Sequence, residues 1–483
     1  MKTASRAAAS GFIWSSLSQT VKMISQAIGL IILARLLPAS DFGVVAMATT
    51  VTGFISLFRD FGTVATVIQR PVISPHLLDS VFFLNIAISL GLALGLIVLS
   101  PAAAWLFSEP RLSDVLWLFA LALPIGAMSL VHQALLERSS DFRPLAIIES
   151  IAALFSLCAA LVAASVGWGI YSLVTQTILS AIVTTVGLWW CSSWSPGRAA
   201  RLYDMRELFG FSSNLVGFNV FNYFARNADN ILIGRFLGAT DLGVYTMAYR
   251  LMLWPVQNIS GVVARALFPV FSRMQTDPER VGSVYLKITA AIILITAPLM
   301  LGLFVLREPF VETVLGAKWI PVANLLEYLA PVGLLQSLST TIGILYLSKG
   351  RADLLFRWGV FGCTTIVLSF FLGVKWGLEG VVISYAVATT VLFIPSLVIP
   401  LRLVELTIGS LLVNLLPSVF AAVLMAVVVA FVNQNWLGLI AFPFFRLGML
   451  IGVGVLSYGI FSYLFQRNLL KGIVRMLWHP NDM

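Results

Sequence analysis

Six basic residues interrupt the long apolar runs of this sequence. They are Lys22, Arg59, Arg226, Arg250, Arg265 and Arg446. A lysine or arginine at the lipid-facing centre of a membrane helix costs about 2.5–3.5 kcal/mol on insertion scales, so each side chain must meet a partner or a water-filled cavity. Cations held in this way bind carboxylates and phosphates. They indicate recognition of an anionic group inside the membrane.

Polar residues accompany these cations at helical spacing. Gln19, Lys22 and Gln26 are three or four residues apart, which places them on one side of a helix. A shift of 200 residues superposes Gln19 on Asn219 and Gln26 on Arg226, so a second polar stripe exists. We expect four helices to line one hydrated cleft. The candidate binding residues are Gln19, Lys22 and Gln26 on the first helix, Arg59 on the second, Asn219, Asn222 and Arg226 on the seventh, and Arg250 and Arg265 on the eighth.

Structural roles for the same charges stay open at this point. Arg226 and Asp229 are three residues apart and can neutralise each other, and Lys22 can pair with Asp60 across helices. Asp60 and Asp229 are therefore candidates for charge pairing or for ion coupling. Arg265 lies close enough to one end of its helix to snorkel toward water.

Three more charged residues carry weaker signals. Glu149 and Glu327 lie near predicted helix ends, where they are either interfacial or carriers of a coupling proton. Arg446 stands alone in its apolar run and is assigned a structural role.

The elements that position these residues are duplicated. Residues 34–48 align without a gap on residues 234–248, and both segments contain an Arg, an Asp and a Gly at matching positions. Pro124-Ile125-Gly126 resembles Pro331-Val332-Gly333, so the repeat continues with an offset that drifts slightly. Duplicated halves in a membrane protein are typical of transporters.

The composition is that of an integral membrane protein. Hydrophobic residues make up 59% of the 483 and charged residues 11%, which leaves no room for a soluble domain. Apolar runs near the roughly 20 residues that cross a bilayer predict an all-α protein with 14 transmembrane helices. The spans are 12–37, 42–69, 77–107, 112–135, 144–167, 169–191, 207–237, 241–272, 281–307, 321–348, 352–374, 377–401, 407–432 and 437–466.

The repeat assigns these helices to lobes. Residues 1–200 form an N-lobe of helices 1–6, residues 201–404 a C-lobe of helices 7–12, and residues 405–483 hold helices 13 and 14 with a tail. Because six is an even number, the two lobes insert in the same orientation.

The loop charges predict an orientation. Eighteen of the 30 Lys and Arg residues fall on the side that holds both termini, and six fall on the other side. By the positive-inside rule both termini are cytoplasmic. The net charge of +9 is explained by the Lys and Arg residues on one side of the membrane, so no nucleic-acid partner is expected.

The sequence contains no motif that is typical of an enzyme. His76, His132 and His479 are far apart, and no metal-ligand cluster, phosphate-binding glycine loop or nucleophile motif is present. No loop is long enough for an external catalytic domain. We therefore predict no metal, no cofactor and no catalytic residue, and a transporter in place of an enzyme.

Short motifs carry a resemblance to a known family. They are Arg59-Asp60-Phe61-Gly62, Ile68-Gln69-Arg70, residues 267–277 (LFPVFSRMQTD), and Gly316-Ala317-Lys318-Trp319 with Pro321. The chain resembles the polysaccharide transporter family, near colanic-acid-type repeat-unit exporters, within the multidrug and oligosaccharidyl-lipid exporter superfamily.

The resemblance implies a lipid flippase. Such proteins move an undecaprenyl-pyrophosphate-linked oligosaccharide across the bacterial inner membrane for exopolysaccharide biosynthesis, by alternating access. It also implies membrane lipid and polysaccharide polymerase machinery as partners, and an ion gradient or downhill product consumption as the energy source, with proton and sodium both open.

Three alternatives stay open at the sequence level. A peptidoglycan-precursor flippase would carry a similar pyrophosphate headgroup. A multidrug antiporter of the same fold would place acids in the cleft instead of arginines. A membrane glycosyltransferase or ligase would need a large external loop and a cluster of acids.

Overall fold

The computed structural model describes residues 2–59, 63–70, 73–197, 213–273, 278–437 and 442–467, and their regular structure is helical. The chain forms two compact units, residues 1–243 and 244–483. The first unit contains α1 (Lys2–Leu36), α2 (Ala39–Ser56), α3 (Thr63–Gln69), α4 (Pro75–Phe107), α5 (Arg111–Ala127), α6 (Leu130–Arg138), α7 (Phe142–Ser165), α8 (Ile170–Cys191) and α9 (Ser213–Phe236).

The helix α10 (Ala239–Arg273) begins in the first unit and continues into the second. The second unit then contains α11 (Pro278–Val305), α12 (Arg307–Val314), α13 (Ile320–Ser348), α14 (Ala352–Gly373), α15 (Gly377–Arg402), α16 (Ile408–Val432) and α17 (Pro443–Phe465). Its remaining elements are the short 3₁₀ turns Ala317–Trp319 and Val374–Trp376 and a π turn, Asn433–Leu437. The predicted lobe boundaries at 200 and 404 follow the sequence repeat and stay a prediction.

The all-helical membrane fold is confirmed, and most predicted spans agree with the helices to within a few residues. Ten described segments are long and apolar enough to cross a membrane, and α5 with α6 adds an eleventh if the pair is one bent span. One of the ten, residues 352–402, holds both α14 and α15, which pack against each other. The helices α9 and α10 are long but too polar to be among the ten. The number 14 stays a prediction.

Two predicted spans are not continuous helices. The span 42–69 is divided into α2 and α3, and α2 ends at Ser56, just before Arg59. The span 112–135 bends by 42° between α5 and α6. Apolar residues lie on both sides of each interruption, although Arg59 and Asp60 stand in the first, which is why the sequence alone predicts a single helix in each place.

Apolar packing holds each unit together. In the first unit α1 packs on α7, α7 on α8, and α4 on α5, with Leu96 and Leu116 fully buried. In the second unit α11 lies against α13 and α16, and Tyr285 and Tyr346 are buried in its core. These contacts fix the helices that carry the candidate site.

The repeated motif forms a reciprocal helix contact inside the first unit. A Cβ atom added to Gly43 would overlap the carbonyl oxygen of Ala239, and one added to Gly243 would overlap that of Ala39. Each alanine is the first residue of its helix, and each glycine lies one turn further on. The first turns of α2 and α10 therefore touch backbone to backbone, as small residues four apart allow.

A second pair of matching segments, residues 166–170 (VGWGI) and 374–378 (VKWGL), shares a glycine for a reason that lies in the backbone. Gly169 precedes α8 with φ +54°, and its repeat counterpart Gly377 begins α15 with φ +74°. Side chains disfavour this left-handed region, so glycine is the suitable residue at both turns. The repeat thus preserves backbone geometry at two separate places.

The reciprocal contact predicts a position-specific loss of stability. Gly43→Ala inserts a methyl group against the Ala239 carbonyl and should destabilise the protein by about 1–3 kcal/mol, the usual cost of overpacking. Thermal unfolding of the purified protein in detergent measures this. Gly91→Ala is the matched control, because no atom lies within 4 Å of a Cβ added at Gly91 in α4. Equal unfolding temperatures for the two variants would contradict the contact.

Candidate functional site

Most of the predicted site residues lie in the first unit. Gln19, Lys22 and Gln26 are on α1, Arg59 follows the end of α2, and Asn222 and Arg226 are on α9. Arg250 lies on α10 in the second unit, where its side chain is exposed. Asp60 lies outside the described residues, as do the side chains of Asn219 and Arg265.

The polar stripe of α1 divides between two environments. Ser18 and Ser25 are 2% and 4% exposed, on the side that packs against α7. Gln19 and Gln26 are exposed. Lys22 lies at the boundary with 32% of its side chain exposed, so it can reach both α7 and the open side.

An ion pair joins α1 to α7. Lys22 Nζ lies 2.7 Å from Glu149 Oε2, and Ser18 Oγ donates a hydrogen bond to the same oxygen at 2.7 Å. Glu149 lies about two turns inside α7, away from the helix end where the sequence places it. Lys22 therefore pairs with Glu149, and the predicted pairing with Asp60 is not part of the described structure.

Arg59 lies against a glycine of α5. A Cβ added to Gly126 would stand 2.5 Å from Arg59 Nη2, so the missing side chain makes room for the guanidinium. The matched residue Gly333 faces sulfur instead, because a Cβ there would lie 2.7 Å from Met300 Sδ and 2.8 Å from Met252 Cγ. The two repeats use equivalent glycines to accommodate a cation in the first unit and methionines in the second.

Hydroxyl groups on α2 bond to their own helix. Thr49 donates to the Ala46 carbonyl at 2.9 Å, Thr52 to Ala48 at 2.9 Å, and Ser56 to Thr52 at 2.8 Å. This satisfies each hydroxyl donor locally and leaves its oxygen able to accept. Thr49 and Ser56 are exposed, so they add polarity to the face that leads to Arg59.

The polar helix α9 packs against α2. Tyr223 donates its hydroxyl to the Thr50 carbonyl at 2.6 Å, and a Cβ added to Gly53 would lie 2.5 Å from the same hydroxyl. Phe54 and Phe224 extend the contact, with ring centroids 5.1 Å apart. The helix that carries Arg226 is therefore fixed beside the helix that leads to Arg59.

Arg226 and Asp229 lie in different environments. The Arg226 side chain is exposed, whereas Asp229 is 7% exposed and accepts a hydrogen bond from the Asn230 backbone N–H at 2.8 Å. Asn222, one turn before Arg226, is half-buried. The Arg226 side chain is thus accessible on the surface of a helix that is less apolar than the ten candidate spans.

The second unit adds a polar face and a structural cation. On α10 the exposed side chains Arg250, Trp254 and Gln257 follow one another at spacings of four and three residues. Arg446 binds Asn433 Oδ1 through Nε at 3.2 Å and through Nη2 at 2.7 Å, which agrees with a structural role. Among the described residues, no three His, Cys, Asp or Glu side chains gather as metal ligands would.

Comparison with known proteins decides the family. Residues 32–324 match the family model described as "Polysaccharide biosynthesis protein". The succinoglycan biosynthesis transport protein ExoT of Rhizobium meliloti is 32% identical over 350 residues, which cover 72% of this chain and 70% of that protein. The chain belongs to the polysaccharide biosynthesis protein family.

Two further relatives agree with this assignment. The teichuronic acid biosynthesis protein TuaB of Bacillus subtilis is 29% identical over 80% of each chain. The lipopolysaccharide biosynthesis protein WzxC of Escherichia coli is 25% identical over 85% of this chain and 79% of that protein. The protein is a transporter of polysaccharide biosynthesis and not an enzyme, as the sequence predicts.

Solved structures show the same fold. The lipid II flippase MurJ in an inward closed conformation has a TM-score of 0.74 at 15% identity, covering 95% of this chain and 100% of that one. An inward-facing multidrug resistance MATE family transporter has a TM-score of 0.59 at 17% identity, covering 82% and 98%. At these identities the likeness concerns the fold alone.

Sequence reasoning missed the roles of Glu149 and Ser18, although one signal was present. Glu149 is a lone acid in a helix that is otherwise apolar around it, and such a residue needs a cation. The sequence does not identify Lys22 as the partner of Glu149, because the two residues are 127 positions apart. Nothing in the sequence around Gly126 marks it as a contact of Arg59.

The ion pair predicts coupled effects on stability. Lys22→Ala should be destabilising, because it leaves the Glu149 carboxylate without its cation. In the double variant Lys22→Ala/Glu149→Gln no charge is left over, so a double-mutant cycle should show a coupling of about 1–2 kcal/mol. Chemical denaturation of the purified protein measures it. The exposed pair Arg351 and Asp353, 2.9 Å apart, is the control and should show little coupling. Additive effects at residues 22 and 149 would contradict the described contact.

Proposed function

We propose that the protein flips an undecaprenyl-pyrophosphate-linked oligosaccharide repeat unit across the bacterial inner membrane for exopolysaccharide biosynthesis. The substrate moves through a cationic cleft by alternating access. The observation that carries this proposal is the exposed guanidinium of Arg226, about 15 Å from the outer end of a helix that packs on α2. A charge at that depth requires an anionic ligand or water.

The charges of the first unit support a pyrophosphate headgroup. Lys22 and Arg226 have accessible side chains. Arg59 follows the end of α2, the helix against which α9 and its Arg226 pack. Guanidinium and ammonium groups form short, charge-assisted hydrogen bonds with phosphate oxygens. The exposed amides of Gln19 and Gln26 suit the hydroxyl groups of a sugar.

The relatives support the substrate class. ExoT is named as a transport protein of succinoglycan biosynthesis, and a glycan biosynthesis protein of Haloferax volcanii, 24% identical over 376 residues, is named as a probable flippase. A lipid-linked oligosaccharide fits both names. We extend this substrate class to the present chain because the family is shared over most of its length.

A peptidoglycan-precursor flippase is the alternative within the fold. The likeness to MurJ, at 15% identity, supports the fold and does not identify the sugar. ExoT and TuaB, at 32% and 29% identity, are named for succinoglycan and teichuronic acid biosynthesis, which favours an exopolysaccharide unit. An antiporter of organic cations is disfavoured by the positive charge of the exposed Arg226 side chain.

The orientation, the energy source and the recipient of the exported unit are proposed from the sequence and its family resemblance. We propose that both termini are cytoplasmic, because the excess of Lys and Arg falls on their side. The bacterial inner membrane is the location that the family resemblance implies. We propose an ion gradient or the consumption of the exported product as the source of energy. Polysaccharide polymerase machinery is the proposed recipient of the exported unit.

Removal of the cations should reduce export. Lys22→Ala, Arg59→Ala and Arg226→Ala each remove a charged hydrogen-bond donor, so export should fall by about 10- to 100-fold. The measurement is surface polysaccharide in cells that depend on this protein, normalised to its abundance in the membrane. Arg351→Ala, which breaks an exposed pair at the start of α14, should export normally.

Three further variants refine this test. Arg226→Lys keeps the charge and should retain part of the export. Gly126→Ala keeps all charges but displaces the Arg59 guanidinium, whereas Gly95→Ala adds the same methyl group in open space. Normal export from Lys22→Ala, Arg59→Ala and Arg226→Ala would contradict the proposal that these cations bind the substrate in a cleft.

A further inference from the structure

Two donors on α1 converge on a single oxygen atom. Ser18 and Lys22 are four residues apart, so they lie one turn apart on the same face of the helix. The Ser18 hydroxyl and the Lys22 ammonium both lie 2.7 Å from Glu149 Oε2. A hydroxyl and an ammonium that meet at one oxygen are the donors expected of an oxyanion site.

We propose that Ser18 and Lys22 form a binding site for a phosphoryl oxygen of the substrate, and that the Glu149 carboxylate competes for this site. The proposal rests on the proposed function, because it assigns the pyrophosphate to particular atoms. A carboxylate oxygen and a phosphoryl oxygen are acceptors of the same kind. Either one satisfies both donors, so one replaces the other without leaving a donor unpaired.

The site is accessible from one side. Lys22 and Glu149 are 32% and 26% exposed, whereas Ser18 is 2% exposed and is held at the α1–α7 interface. An incoming anion therefore reaches the ammonium and the carboxylate first. The buried serine supplies a fixed donor, and the longer Lys22 and Glu149 side chains have the freedom to separate.

A third hydrogen-bond donor, the Ser25 hydroxyl, lies on the same face of α1. Ser25 lies three residues after Lys22 and is 4% exposed, and its Oγ has no hydrogen-bond partner within the described part of the chain. Buried hydroxyls are normally hydrogen-bonded, so an unpaired one requires an explanation. A pyrophosphate has more oxygens than Ser18 and Lys22 can bind, and Ser25 is placed one turn further along to donate to another.

Competition by an internal carboxylate has a physical reason. A lysine inside the membrane needs an anion at every stage of a transport cycle. Glu149 neutralises Lys22 before the substrate binds and after it leaves, so α1 is not left with an uncompensated charge. Exchange of one anion for another keeps the Lys22 ammonium paired throughout, which lowers the cost of loading and release.

The test measures binding of farnesyl pyrophosphate to the full-length protein in nanodiscs by calorimetry. Glu149→Gln removes the competing charge, so affinity should rise about 5- to 10-fold. The gain should disappear in Lys22→Ala/Glu149→Gln and shrink in Ser18→Ala/Glu149→Gln. Farnesol, which lacks the pyrophosphate, should bind the wild-type and Glu149→Gln proteins equally.

Two matched variants complete the design. Glu327→Gln removes another carboxylate that contacts an arginine, Arg307 at 3.2 Å, and should leave the affinity unchanged. Glu149→Asp keeps the charge but withdraws it by one methylene, so a two- to threefold gain is expected. This variant keeps the test decisive if Glu149→Gln does not fold.

The outcomes separate this inference from the proposed function. Unchanged or weaker binding of farnesyl pyrophosphate by the Glu149 variants would overturn the shared oxyanion site, as would an equal gain for farnesol. If Arg226→Ala still abolishes export in that case, the flippase function stands without it. If the cation variants export normally, the flippase proposal itself fails.

Discussion

Charge neutralisation in a medium without water is the constraint on which this structure depends. Lys22 lies in a helix that must cross hydrocarbon, and its ammonium meets the Glu149 carboxylate at 2.7 Å on a neighbouring helix. That contact fixes the packing of α1 on α7 and defines which face of α1 stays accessible. Arg226 has a different solution, because its side chain is exposed on a polar helix that packs against α2. The same physics that makes these charges costly makes them suited to an anionic ligand.

The internal repeat preserved backbone contacts while its charges diverged. Gly43 and Gly243 make equivalent contacts with the carbonyl groups of Ala239 and Ala39, which explains why both copies of the motif place alanine and glycine four residues apart. Elsewhere equivalent positions serve different partners, since Gly126 accommodates the Arg59 guanidinium and Gly333 accommodates methionine side chains. A duplicated scaffold therefore carries different side chains at equivalent positions, and three of the proposed substrate-binding cations, Lys22, Arg59 and Arg226, lie in the first unit.

Much of the fold was predictable because the membrane imposes length and polarity on each helix. The helices α4, α7, α8 and α13 begin and end within a few residues of their predicted limits. Apolar periodicity did not reveal the division of the second span after Ser56 or the bend between α5 and α6. Apolar residues flank both interruptions, and a charged pair such as Arg59 and Asp60 can also lie within a continuous helix. The site was predictable only as a set of cations. Their partners depend on contacts between distant segments, such as residues 22 and 149, and no local pattern encodes those.

The central claim is that the protein transports a lipid because of its anionic headgroup. The most direct measurement reconstitutes the purified protein in vesicles and compares two fluorescent polyprenyl glycolipids with the same sugar, one linked through pyrophosphate and one without phosphate. We expect rapid flipping of the pyrophosphate-linked lipid, suppression of this flipping by high salt, and little movement of the neutral lipid. Equal rates for the two lipids would contradict it.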